Sequence, residues 1–173
     1  MKVVFLDIDG VLNHEMRPKG MSLEGPWMDP EHTAHLEQLR QTEPFVIVFS
    51  TSWRITHSQE ALTSDLRVAG CDAPVIGCTP NGAYDSVRGL YRASVRGFEI
   101  AAWLRENLAE VDSYVVLDDC SRDDMPIVGR HFVKIPSSGL REGHLPSILR
   151  VLGTPLTNEE RDTLKASGIP APG

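Results

Sequence analysis

A mainly parallel α/β sheet covered by helices on both faces is the fold class that this chain predicts. Three observations carry it. Short β-rich runs alternate with segments of helical spacing. Three of those runs, VVFLD, VIVFST and YVVLDD, finish in a carboxylate or a hydroxyl. With 173 residues, 41% of them hydrophobic, the chain suits one domain with its own core rather than a disordered polymer.

The elements follow in order. KVVFLD is the first strand. DPEHTAHLEQLRQT reads as a helix, with Asp29 as N-cap and Pro30 at its first position. FVIVFST is the second strand, a helix falls within residues 57–69, and PVIGC is the third strand. A stretch rich in Gly and Arg then reads as a loop. FEIAAWLRENLAEV carries helical apolar spacing at Ile100, Trp103, Leu104 and Leu108. SYVVLDD and HFVKI are the fourth and fifth strands, and LPSILRVL is a closing helix. The domain is therefore expected over 1–152. Residues 153–173 form a tail with a short helix in NEERDTLKAS and a mobile end, GIPAPG.

Charge and cysteine usage narrow the function. Seventeen basic against 24 acidic residues give a net charge of -7. That balance disfavours a chain whose whole surface grips nucleic acid, while a local basic patch stays open. Cys71, Cys78 and Cys120 are odd in number and lack the paired spacing of a zinc site. They read as reduced small hydrophobes, with no disulfide-linked partner. No apolar run approaches the ~20 residues of a membrane span. Asp7 and Asp9 also interrupt the stretch where a signal peptide would be apolar, so no membrane and a cytoplasmic location are expected.

The strand ends hold the chemistry. In open α/β sheets ligands bind in the crevice outside the carboxyl ends of the strands. Here those ends bring Asp7, Ser50, Thr51, Asp118 and Asp119. Residues two apart on a strand share a side, which would aim Asp9 into the crevice with Asp7, and Gly10 would let the chain turn away. A like-charged pair ~4 Å apart costs about 4 kcal/mol at an effective dielectric of ~20, so the cluster calls for protons or a cation. An all-oxygen donor set points to Mg²⁺. The plain alternative is that Asp7 and Asp9 only cap a loop.

DIDGVLN resembles motif I of the haloacid dehalogenase (HAD) superfamily, hhhhDxDG. FLDIDGVLN, FSTSWR, IGCTP, RGFEIAAWL and VVLDDCSRDDM together resemble the compact HAD domains grouped with Swiss-army-knife RNA-repair proteins. They are more distantly similar to the phosphatase half of polynucleotide kinase-phosphatase. The resemblance runs from about Lys2 to Leu152. It implies a HAD-like Rossmannoid three-layer sandwich without a large cap, working as a Mg²⁺-dependent phosphatase. By that resemblance Asp7 is the nucleophile and carries an aspartyl-phosphate, while Asp9 protonates the leaving oxygen and later activates water. The backbone carbonyl of Asp9 would also ligate the metal. The second aspartate favours a phosphatase over a dehalogenase, which lacks it. Ser50 and Thr51 would contact the phosphoryl group. Asp119 would bind the metal directly, and Asp118 directly or through water. The family's basic residue, which would hold phosphoryl oxygens, fits Arg96 best, but Arg88, Arg92 and Arg96 repeat every four residues and any of them could occupy the phosphate-binding position. Asp123 and Asp124 would either add a metal contact or face solvent.

About 20 residues separate Asp9 from Pro30, and about 17 separate Cys78 from Arg96. Neither stretch holds a full cap, although NHEMRPKGMSLEGPWM could form a flap. An open crevice suits a phosphorylated nucleic-acid end, a 3'-phosphate among them. Small phosphate esters and phosphoproteins are the alternatives. A catalytically silent binding module is the rival of another class, and the intact set of Asp7, Asp9, Ser50 and Asp119 argues against it. Trp53 and Arg54 would touch substrate or pack at a helix start; Glu99 would pair with an arginine or face solvent. The six histidines show no HxxxH or HExxH spacing, so His14 reads as a loop residue and His131 as structural. The sequence leaves the oligomeric state open.

Overall fold

The computed structural model describes residues 1–14, 27–85, 90–92 and 95–167. Its centre is β1 (Lys2–Leu6), whose β-branched and aromatic side chains suit a strand buried on both faces. Around it stand β2 (Val46–Phe49), β3 (Val75–Cys78), β6 (Ser113–Asp118) and β7 (Phe132–Lys134), in the order β3-β2-β1-β6-β7. All four pairings are parallel. The expected α/β sheet is what the chain forms.

Helices α1 (Pro30–Thr42), α2 (Gln59–Val68) and α4 (Leu145–Leu152) cover one face. Leu36, Leu39, Leu62, Leu66, Ile148 and Leu152 pack there against Val4, Leu6, Ile47 and Leu117. On the other face α3 (Arg96–Asn107) and α5 (Asn158–Ala166) meet Val3, Phe5, Val48, Tyr114 and Val116. Strand alternation divides the two cores, with Val4 and Leu6 on one side and Val3 and Phe5 on the other. Phe5 anchors the second core through edge-on contacts with Trp103 at 5.4 Å and Tyr114 at 5.8 Å.

Local chemistry sets the helix starts. Asp29 caps α1 by accepting from the Glu31 backbone N–H, and Pro30 opens it, as the sequence predicts. Thr157 and Glu160 form a reciprocal capping box at the start of α5. That helix is docked on the domain: Leu164 is buried, and the Arg161 guanidinium donates to the Leu108 and Val111 carbonyls.

The stretch expected as a Gly- and Arg-rich loop instead carries a two-stranded antiparallel hairpin, β4 (Ala83–Asp85) and β5 (Leu90–Arg92). Strands of three residues are too short for an alternating pattern to declare itself. The expected flap, over 15–26, and the GIPAPG end lie outside the described residues. No helix among those described is long and apolar enough to cross a membrane. The three cysteines are free, and burial pushes the Cys71 thiol up to about 11, so it stays protonated and inert.

Candidate active site

Parallel register assembles the site. Leu6 stands opposite Leu117 on one side and Phe49 on the other, so the residues that follow, Asp7, Asp118 and Ser50, come level at one sheet edge. The backbone confirms it: Asp7 N–H donates to Leu117 O at 3.0 Å, and Ser50 N–H to Leu6 O at 2.9 Å. This edge lies between β1 and β6, where helical crossovers change face, which is where such sheets place their ligands.

Asp7, Asp118 and Asp119 each bring a carboxylate oxygen to within 4.8 Å of the others. Asp7 and Asp118 are almost wholly buried. Burial first, and the Asp118 charge next, push Asp7 up to about 7, against the opposing pull of Arg96. Arg96, the first residue of α3, places Nε 3.0 Å from Asp118 Oδ2 and Nη2 3.6 Å from Asp7 Oδ2. Asp118 Oδ2 is nevertheless buried without an aligned hydrogen bond, while Oδ1 accepts from Cys120 N–H. Among the described residues one guanidinium faces three carboxylates, which leaves negative charge uncompensated there. The donor set is all oxygen, so the residues fit a hard divalent cation such as Mg²⁺.

Gly10 makes room for this cluster. Its φ is +72°, and a Cβ there would fall 2.1 Å from Asp119 Oδ2. The reason expected for the placing of Asp9 is corrected here. The strand ends at Leu6, and Asp9 sits in the turn that follows, exposed, while Ile8 is buried. Two side-chain donors aim it instead of strand alternation. Asn13 Nδ2 donates to Oδ1 at 2.9 Å, and Trp53 Nε1 donates to Oδ2 at 2.8 Å. Asn13 also accepts from Gly10 N–H, which closes the turn.

Ser50 Oγ is fully buried and has no hydrogen-bond partner among the described residues. A buried hydroxyl in that state is costly, and a phosphoryl oxygen would satisfy it. Thr51 lies beside Asp7, where its hydroxyl helps hold the carboxylate charge, and it caps the 3-10 turn Ser52–Ile55. Thr79 Oγ1, just past β3, is a second buried hydroxyl without a partner among the described residues; it lies in the IGCTP stretch, to which the sequence alone gave no role.

Arg54 and Glu99 prove to be framework. Arg54 donates to the carbonyls of Ser50, Thr51, Thr79 and Pro80 and to Glu99 Oε2. Glu99 Oε1 accepts from Gly82 N–H at 2.8 Å. The pair thus ties the ends of β2 and β3 to the helix that carries Arg96. Beside it lies a cleft of about 140 Å³, lined by Ser52, Arg96, Cys120 and Asp124 among others. Asp124 caps its own turn through Ser121, and Asp123 is exposed. Arg88 lies outside the described residues. The backbone of Arg92 is in β5, and among the described residues Arg96 is the basic side chain beside Asp7.

Residues 3–145 match the family model described as the HAD domain in Swiss Army Knife RNA repair proteins. The chain belongs to that family. Asp7 and Asp9, the two aspartates of the DxD stretch, lie within the matched span. No curated protein matches the sequence. Among solved structures the HAD domain is similar to the D,D-heptose 1.7-bisphosphate phosphatase of B. bronchiseptica, complexed with magnesium and phosphate. The two share 16% identity and a TM-score of 0.47, over 83% of this chain and 90% of that one.

Proposed function

We propose that this HAD domain is a Mg²⁺-dependent phosphohydrolase that works through an aspartyl-phosphate on Asp7 and acts on phosphorylated nucleic-acid ends, a 3'-phosphate in first place. The observation that carries the reaction is the convergence of Asp7, Asp118, Asp119, Arg96 and the unpartnered Ser50 hydroxyl at one sheet edge. The family's occurrence in RNA repair proteins supports the substrate class. A cytoplasmic setting goes with this reading.

Asp7, Asp118 and Asp119 would hold the Mg²⁺, with the Asp9 carbonyl. The ion supplies charge neutralisation at the phosphoryl oxygens. Asp7 attacks phosphorus as its carboxylate; the bond from phosphorus to the leaving oxygen breaks, and that oxygen takes a proton from Asp9. Asp9, now a base, accepts a proton from water as the water attacks phosphorus and frees Asp7. Ser50 and Thr51 donate to phosphoryl oxygens. Arg96 holds Asp7 in place and offsets the charge that gathers there. Asn13 and Trp53 fix the proton carrier within reach of the leaving group.

Phosphate release from an aryl phosphate, with and without Mg²⁺, tests the reaction in wild type and Asp7→Asn. Activity that needs the metal and vanishes in the variant is expected; activity that survives in Asp7→Asn removes the nucleophile. Turnover of 3'-phosphorylated oligonucleotides, phosphopeptides and sugar phosphates then tests the substrate. Equal rates across the three classes would overturn the nucleic-acid assignment, and a folded wild type inert on all of them would favour a silent binding module.

A further inference from the structure

A second group of metal-ligating side chains stands apart from the carboxylate cluster. His14, from the turn after β1, meets Asp29 and His32 at the start of α1, and one ligand atom of each lies within 4.8 Å of the other two. His14 Nε2 is 3.5 Å from Asp29 Oδ2. The His14 ring stands edge-on to His32 at 5.9 Å and to Trp27 at 5.2 Å.

His32 is the informative member. It is only 1% exposed, and its Nδ1 lies 2.9 Å from the Leu140 carbonyl. A carbonyl can only accept, so Nδ1 carries the proton, and in the neutral ring Nε2 presents its lone pair. Nε2 is buried and has no hydrogen-bond partner among the described residues. Gly139, with φ +95°, approaches the ring so closely that a Cβ would fall 2.2 Å from Nε2. The imidazole is thus fixed in place and in tautomer, with its ligating atom unsatisfied. Asp29 is oriented in the same manner: Oδ1 accepts from Glu31 N–H, and Oδ2 is turned toward His14. An imidazole held through its other nitrogen by a carbonyl, beside a hydrogen-bonded carboxylate, is how metal ligands are oriented from behind.

We propose that His14, Asp29 and His32 form a second cation site, selective for a transition metal of the zinc type. Two imidazoles and one carboxylate suit Zn²⁺, whereas the all-oxygen group at Asp7 suits Mg²⁺. Ligand atoms ~2.0–2.2 Å from a tetrahedral Zn²⁺ stand about 3.3–3.6 Å from one another, which the His14–Asp29 separation already meets. His14 and Asp29 are one-third and one-quarter exposed, so they can close on the fixed His32, and water completes the fourth position. The ion would join residue 14 to residue 29. It would lie next to Asn13, which holds both Asp9 and the Trp27 carbonyl.

The test uses the whole chain, stripped with a chelator and then saturated with Mg²⁺ so that the oxygen site is filled. Co²⁺ is titrated as the spectroscopic probe, and Zn²⁺ binding is followed by calorimetry. One equivalent of Co²⁺ should bind with the visible absorption of a four-coordinate site and be displaced by Zn²⁺. Affinity should fall by about 100-fold in His32→Gln and by at least tenfold in His14→Ala, whose one-third-exposed side chain leaves folding intact. Three results would overturn the site: no Co²⁺ or Zn²⁺ bound in the presence of Mg²⁺, binding unchanged in His14→Ala, or a thiolate charge-transfer band tracing the metal to a cysteine. In the first case an ordinary buried water satisfies His32 Nε2. No readout depends on turnover, so the result stands whether or not the phosphatase reading does.

Discussion

Arg54 and Glu99 meet at 2.6 Å with only 5% and 2% of their side chains exposed, between the strand that leads into Ser50 and the helix that begins at Arg96. Removing one member of a buried pair leaves the other charge without compensation. Glu99→Gln is therefore expected to destabilise the fold by about 3–5 kcal/mol, read from urea unfolding. Its kcat should fall as well, because Ser50 and Arg96 lose their common brace. Replacing both residues by leucine should cost less than Glu99→Gln alone, and an equal or larger loss would show that the pair is not one unit.

Asp7 carries a stability cost that function requires. Its carboxyl is raised from 3.8 to about 7 in the fold, so the folded chain holds that proton more tightly than the unfolded one. The stability from this group is fully present below 3.8, is lost as pH rises, and is gone above about 7. With a chelator present, Asp7→Asn should flatten that decline and raise Tm at pH 8 by about 2–8 °C, as ~1–2 kcal/mol at ~2–4 °C each. The same variant should be inactive. A lower Tm than wild type at pH 8 would contradict the electrostatic account.

Gly10→Ala combines an unfavourable positive φ with a collision at Asp119. The backbone alone costs about 1–2 kcal/mol. The more telling effect is on the metal, since Asp119 must move. The Mg²⁺ concentration for half-maximal activity should rise at least several-fold, while substrate KM at saturating Mg²⁺ changes little.

The helix of the expected tail packs on the domain. Leu164 is buried on the second core, and His131 links two acceptors, with Nδ1 3.1 Å from the Tyr114 carbonyl and Nε2 3.0 Å from Glu160 Oε1. Leu164→Ala is expected to cost about 2–5 kcal/mol. A chain stopped at residue 152 should unfold at lower urea than wild type and bind hydrophobic dye. Unchanged stability would make the domain end at Leu152 after all.

How much of this could be read beforehand depends on sequence distance. The strands and the Asp7, Ser50 and Asp118 ends were legible because a parallel sheet lines up strand termini, and Arg96 because a helix start is a local signal. The partners of Asp9 were not. Trp53 is 44 positions away from it, and nothing local announces that an indole will donate there. Arg54 and Glu99 left two readings open, and only their separation in space chose between them. The hairpin was hidden by its brevity. His14, Asp29 and His32 escaped a search for close metal spacing because the turn after β1 and the start of α1 are brought together by folding, through Asp29 N–H to Leu12 O at 2.7 Å.

Three glycines share one trait. A Cβ would meet Asp119 at Gly10, Pro126 at Gly97 and His32 at Gly139, each at under 3 Å. In a saturation screen for activity these positions would therefore score as harshly as Asp7 and Asp9, although they contribute no functional group. Ranking by tolerance alone would draw an active centre that is partly scaffolding. Sorting the same library twice, once for turnover and once for folded protein at the cell surface, separates the two kinds of position: the aspartates drop out of the first sort only, and the glycines out of both.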